Sequence, residues 1–184
     1  MNERDRSILE AAYRVFSRFG VAKTTMADVA QEAGVARQTV YNAYQNKEDL
    51  LRAVTRKGIK NAEDAVDEAW ANTDDFEEKI DRFFELVPLT WYDLVQTSPQ
   101  TAELVEGIHR IACTELEEAA VRWQGRFTRL LETHFDKTAF DAPALADFIY
   151  STAANAKYGA RSRAEIEARL AMLKSSVLAL TAQK

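Results

Sequence analysis

Arg37, Gln38, Thr39, Tyr41 and Asn42 place five hydrogen-bonding side chains within six positions, and Val40 is the one apolar residue among them. On a short helix this spacing turns the polar groups outward and the valine inward. Guanidinium and carboxamide groups can pair bidentately with guanine and adenine edges in a DNA major groove. Taken alone, the same face is also that of an ordinary solvated helix. A second constellation is Glu106, His109 and Cys113, at i, i+3 and i+7. That spacing suits a soft metal or a redox sensor. Three mixed ligands on one helix, without another His or Cys cluster, predict no metal, and the expectation is a buried, satisfied His109 and an inert Cys113. The two histidines, His109 and His134, have no nucleophile or carboxylate at motif spacing, so no enzyme is expected.

The elements that position the polar face are legible from periodicity. Ile8, Leu9, Ala12, Val15, Phe16 and Phe19 recur at helical spacing, and Gly20 is placed to end that helix in a left-handed cap. Thr25 with Asp28 three residues on predicts a capping-box start for a short second helix buried through Val29, Ala30 and Ala33. Gly34-Val35 predicts a tight turn, and 37–44 a third short helix. Asn46 with Asp49 predicts the start of a long fourth helix through Leu50, Leu51, Val54, Ile59, Ala62 and Val66 toward Trp70. Two short helices joined by a glycine turn after a supporting helix are the form of a helix-turn-helix. Ala30, Ala33 and Gly34 supply small residues at the crossing, and Val29, Val35 and Val40 supply the apolar anchors.

Beyond the fourth helix, Asn72-Thr73-Asp74 is expected to cap a fifth helix carrying Phe76, Ile80, Phe83, Phe84 and Val87, with Pro88 kinking it. Ser98-Pro99 opens a sixth through Leu104 and Ile108, and a seventh spans about 111–135. Asp141-Ala142-Pro143 starts an eighth, and Ser162 caps a ninth through Leu180. The predicted fold is all-α with about nine helices, divided at 1–46 and 47–184.

Composition agrees. There are six Gly and three Pro in 184 residues, and no alternating Val/Ile/Thr run, which disfavours strands. No apolar stretch reaches membrane-spanning length. The charged opening from Met1 to Arg6 lacks the apolar core of a signal peptide, and the single Cys113 fits a reducing compartment, so a cytoplasmic protein is expected. The net charge is −5, unevenly spread: residues 1–60 hold eleven Lys/Arg against seven Asp/Glu, and the remainder thirteen against twenty-two. A basic head on an acidic body suits a protein that meets phosphate only through its head.

Residues 8–54 resemble the DNA-binding domain of the TetR family of bacterial regulators. The resemblance rests on Ile8-Leu9-Glu10-Ala11-Ala12 with Phe16 and Gly20, on Thr24-Thr25 with Asp28-Val29-Ala30 and Ala33-Gly34-Val35, and on Thr39-Val40-Tyr41 followed by Tyr44-Gln45-Asn46-Lys47-Glu48-Asp49-Leu50-Leu51. It implies that Arg37, Gln38 and Thr39 open a recognition helix, with Asn42 on the same face. Tyr41 and Lys47 match phosphate-clamp positions, and Thr25 and Tyr44 are further phosphate candidates. Two departures stand out: Ala36 replaces the usual Ser or Thr cap, worth about 1 kcal/mol, and Ala43 replaces a frequent His.

The rest of the chain resembles the family in architecture only. The resemblance implies an effector-binding and dimerisation domain, whose lining candidates are Phe84, Trp91, Tyr92, His109, Cys113, Trp123 and Phe127. Any one of these aromatics is equally a core residue. The last two helices imply a homodimer interface through Phe148, Ala153, Ala156, Leu170, Leu173 and Val177, unless they pack within one chain. The implied function is a ligand-responsive regulator, a repressor in the first instance, binding a palindromic operator on double-stranded DNA as a homodimer with an unknown small-molecule effector and no cofactor. An activator, or a ligand-independent DNA-binding protein of the same fold, is the alternative.

Overall fold

The computed structural model describes residues 3–136 and 140–182, so the reading of Met1 and Asn2 lies outside the described residues. Every regular element in them is helical: α1 (Glu3–Phe19), α2 (Met26–Ala33), α3 (Arg37–Ala43), α4 (Lys47–Ala71), α5 (Phe76–Phe84), a π turn (Glu85–Leu89), α6 (Thr90–Gln96), α7 (Pro99–Ile111), α8 (Cys113–His134), α9 (Ala142–Asn155) and α10 (Arg163–Thr181). If α5, the π turn and α6 are taken as one run, the described residues hold the nine helices read from periodicity. Pro88 sits inside the π turn. Proline lacks the N–H of a regular α-turn and crowds the preceding carbonyl, and a wider turn relieves both. The run therefore passes through Pro88 by widening to a π turn. The cap of α5 is Asp75, whose carboxylate accepts from the Glu78 N–H at 2.7 Å, one residue past the triplet expected to supply it.

The chain forms two compact units. The first contains Met1–Asn61 and Leu94–Leu116, so it takes in the 1–46 segment together with the first part of α4 and a later stretch. Its core is the periodic face of α1 (Ile8, Leu9, Ala12, Val15 and Phe16), closed by Val29 and Ala30 of α2, Val40 of α3 and Leu50 and Leu51 of α4. Leu104 and Ile108 of α7 are buried as well. Polar ties hold the later segment in place: Arg52 Nε donates to the Ile111 carbonyl at 2.9 Å, and Arg56 pairs with the buried Glu115 at 2.8 Å.

The second unit contains Ala62–Asp93 and Glu117–Lys184. Phe83 is its aromatic centre, edge-on to Trp123 at 5.1 Å and to Phe127 at 4.8 Å between ring centroids. Trp70 meets Phe127 edge-on at 5.6 Å, and Tyr150 stacks on Trp123 at 6.5 Å. Edge-to-face pairs of this kind add to the apolar burial of the rings. The buried Glu63 accepts from Arg122 at 2.8 Å, and Arg126 donates twice to Asp67 at 3.1 and 3.0 Å. Phe83 is fully buried and meets three aromatic partners, Phe84 among them, so Phe83→Ala should cost about 3–5 kcal/mol of stability. Urea unfolding of the variant beside wild type measures the loss.

Candidate nucleic-acid interface

The local chemistry of residues 20–49 fixes the geometry of this face. Gly20 takes φ +80°, a left-handed conformation costly for any other residue, and ends α1. α2 then starts on a reciprocal cap: Thr25 Oγ1 accepts from the Asp28 N–H at 3.2 Å, and Asp28 Oδ2 accepts from the Thr25 N–H at 2.8 Å. The Thr25 hydroxyl proton also goes to Asp28 Oδ2 at 2.8 Å. These bonds hold the Asp28 carboxyl below its usual range, chiefly through the Thr25 side chain. Gly34, at φ +67°, ends α2, and the Val35 N–H closes on the Ala30 carbonyl at 3.0 Å. α3 begins on Ala36 without a side-chain cap, as the sequence departure implied.

Val40 is the buried anchor of α3, and Arg37, Gln38, Tyr41, Asn42 and Ala43 are exposed on its other sides, with Thr39 half-buried. Two i,i+4 pairs order the exposed face. Arg37 Nη2 donates to Tyr41 Oη at 3.2 Å while its guanidinium lies 5.2 Å from the tyrosine ring centroid. Gln38 Nε2 donates to Asn42 Oδ1 at 2.8 Å. The Tyr41 bond raises the Arg37 pKa further above its ordinary value. Both pairs leave hydrogen-bonding capacity for an incoming partner: Arg37 has further N–H donors, Gln38 its carbonyl oxygen and Asn42 its amide N–H groups.

The phosphate candidates stand differently. Tyr44 is half-buried at the end of α3, where its N–H donates to the Val40 carbonyl at 2.9 Å, and burial raises its phenol pKa. Thr25 is exposed, but its hydroxyl and N–H are both committed to Asp28. Lys47 is engaged within the chain. Its ammonium donates to the carbonyls of Val21, Ala22 and Thr24 at 2.7, 3.1 and 3.0 Å. An ammonium has three donors, and all three are used inside the protein, so Lys47 staples the α1–α2 connection to the start of α4. Asn46 caps α4 as expected, accepting from the Asp49 N–H at 2.8 Å.

Glu103, Thr24 and Arg52 were missed from the sequence. Glu103 Oε1 accepts from the Ala22 N–H at 3.0 Å, and its carboxylate fills the space where a Cβ on Gly20 would sit. Buried Thr24 donates to the Gly20 carbonyl at 2.7 Å. The partner of Ala22 lies 81 positions away, and no local pattern signals such a contact.

The effector candidates divide between the units. Phe84, Trp91, Tyr92, Trp123 and Phe127 belong to the second, and His109 and Cys113 to the first. Phe84, Trp123 and Phe127 are buried, and Trp91 and Tyr92 are half-buried. His109 is exposed, against the expectation of burial, and Cys113 is exposed as well, because their side of the α7–α8 junction faces away from Leu104, Ile108 and Ala112 in the core. Among the described residues, no group of three or more His, Cys, Asp or Glu is placed to hold a metal. The interface candidates divide by burial. Ala153, Ala156, Leu170, Leu173 and Val177 are buried within one protomer, where α9 and α10 pack on each other, and have little area left for a second copy. Phe148 alone of that set is exposed. No helix of the described residues is long and apolar enough to cross a membrane.

Residues 8–54 match the family described as bacterial regulatory proteins, tetR family. The chain is 36% identical over 80 residues to YhgD of Bacillus subtilis (strain 168), an HTH-type transcriptional regulator. That match covers 44% of this chain, and the chain spans only 42% of the length of that relative. The fold superposes on a TetR-family transcriptional regulator from Pectobacterium atrosepticum with a TM-score of 0.71 at 20% identity, covering 98% of this chain and 95% of the other. A complex of SmeT with triclosan superposes with a TM-score of 0.64 at 18% identity, covering 97% and 91%. With its capped α2, glycine turn and outward-facing α3, the segment 8–54 is a helix-turn-helix of the tetR family of bacterial regulatory proteins, and the likeness of the rest of the chain is one of fold.

Proposed function

We propose that the chain is a ligand-responsive transcriptional repressor that binds a palindromic operator as a homodimer through α3. The observation that carries this reading is the outer face of α3, where Arg37, Gln38, Tyr41 and Asn42 are exposed and ordered in pairs on a helix anchored by Val40. Two copies on a two-fold axis would bring a pair of α3 helices to successive major grooves, about 34–36 Å apart. Arg37 and Gln38 read base edges, and Tyr41 with its stacked guanidinium meets the backbone. In this reading Lys47 acts on DNA indirectly, by fixing the connection that carries Thr25 and α2. The work is done in the cytoplasm, where DNA is.

The dimer face proposed here is the side of α9 and α10 left uncovered. α10 buries Ile166, Leu170, Leu173 and Val177 on one side, yet leaves Met172 69% and Leu180 46% exposed. Phe148 of α9 is 42% exposed, and Val121 of α8 is 67% exposed. A helix apolar on more than one side is one that expects a second partner.

The effector is proposed to bind in the second unit, where Trp91 and Tyr92 retain accessible ring surface and Phe84, Trp123 and Phe127 supply apolar packing. The triclosan complex of SmeT supports a small-molecule site in this fold. α4 and α8 have residues in both units and are the connections through which occupancy would bias the α3 spacing. The ligand must prefer the state that does not fit DNA.

Selection of bound duplexes from a random pool tests the reading first, and an inverted repeat should emerge. Gln38→Ala should relax preference at one base pair of each half-site by about 1–3 kcal/mol, leaving the others unchanged. Lys47→Met should weaken binding to every duplex alike and also lower the melting temperature, because it frees three carbonyls; loss of binding without loss of stability would make Lys47 a direct clamp. A Met172→Asp, Leu180→Asp double variant should sediment as a monomer with unchanged helicity. In calorimetry, saturating operator should weaken effector binding by the factor by which effector weakens DNA binding.

A further inference from the structure

Lys157 stands just past the end of α9, in a corner of the second unit where Asp93, Arg163, Glu165, Glu167 and Arg169 are paired among themselves. The carbonyls of Ala156 and Tyr158, natural acceptors for a lysine at a helix C-terminus, both accept from Arg169 Nη1 at 2.8 Å. Arg169 also holds the carboxylate of Glu165. Asp93, two residues beyond Trp91, is held by Arg163, which donates to Glu167 at 2.9 Å as well. What remains for the Lys157 ammonium is aromatic: it lies 5.7 Å from the centroid of Trp91 and 5.3 Å from that of Tyr158. No carboxylate among the described residues forms an ion pair with it. The side chain is half-buried, and burial lowers its pKa with no charged group offsetting the effect. Ring faces attract a cation but do not replace a desolvated counter-charge.

We infer that Lys157 and Trp91 form the anchor of an effector subsite for an amphipathic carboxylic acid, the ammonium taking the carboxylate and the indole face taking the first part of the apolar body. A carboxylate here would gain a charge-assisted hydrogen bond to a cation already stripped of part of its water. The indole beside it favours an apolar chain or ring over a small hydrated anion. A neutral or cationic head group would leave the ammonium unmatched or repelled. The inference deepens the effector reading given above and rests on it only for its consequence at DNA.

The test is calorimetric titration of the full chain with octanoate, 1-octanol, octylamine and acetate. Octanoate should bind saturably, and the other three should bind about tenfold more weakly or not at all. Lys157→Met should weaken octanoate about tenfold, while Lys157→Arg should restore most of the affinity. Reductive methylation of wild-type protein, read residue by residue, supplies a measurement independent of any variant's folding: octanoate should protect Lys157, and 1-octanol should not. Equal binding of octanoate and 1-octanol, unchanged affinity in a folded Lys157→Met protein, or methylation of Lys157 unaffected by octanoate would each overturn the subsite. Operator release is scored separately. Lys157-dependent binding of octanoate without release would sink the effector reading and leave the subsite standing, and release that survives Lys157→Met would place the effector elsewhere.

Discussion

Three N–H donors on the Lys47 ammonium meet three carbonyls of the α1–α2 connection, and the first unit is organised around that match. The connection has left the α-helix at Gly20 and not yet entered α2 at Met26, so the carbonyls of Val21, Ala22 and Thr24 lie outside any helical ladder. Buried or half-buried carbonyls without donors are costly. Lys47 satisfies them from the first turn of α4, and Glu103 of α7 satisfies the Ala22 N–H from the other side. The entry to α2 is thereby tied to two other helices, and the orientation of α3 follows from it through the Gly34 turn.

This arrangement places a segment of the later sequence, Leu94–Leu116, in the same unit as the helix-turn-helix. The Arg52 bond to Ile111 and the Arg56–Glu115 pair tie α4 to the same segment. The compact units therefore do not follow the order of the chain. Glu103 links α7 directly to the α1–α2 connection.

The second unit has an aromatic centre and a charged corner. Around Phe83 the rings are packed edge to face, and the nearby carboxylates Glu63 and Asp67 are matched by arginines. Interiors of this kind are close-packed and change by discrete rearrangement more readily than by smooth deformation. Trp91 and Lys157 differ from the centre in being half-buried and incompletely matched.

By itself, the sequence determined the helices, their caps and the outward face of α3. The Thr25–Asp28 box, the Gly20 and Gly34 stops, the Ser98, Asp141 and Ser162 starts and the uncapped Ala36 are all contacts within about four residues, and such contacts are written locally. Tertiary structure decided what periodicity cannot express: which of two apolar sides of a helix its own chain covers, and which polar side chain finds a distant partner. Leu170 and Met172 are both apolar residues of α10, and only packing against α9 separates the buried one from the exposed one. Lys47 reads as a solvent-facing cation at a helix start until the fold brings three carbonyls from more than twenty residues earlier within reach of its Nζ.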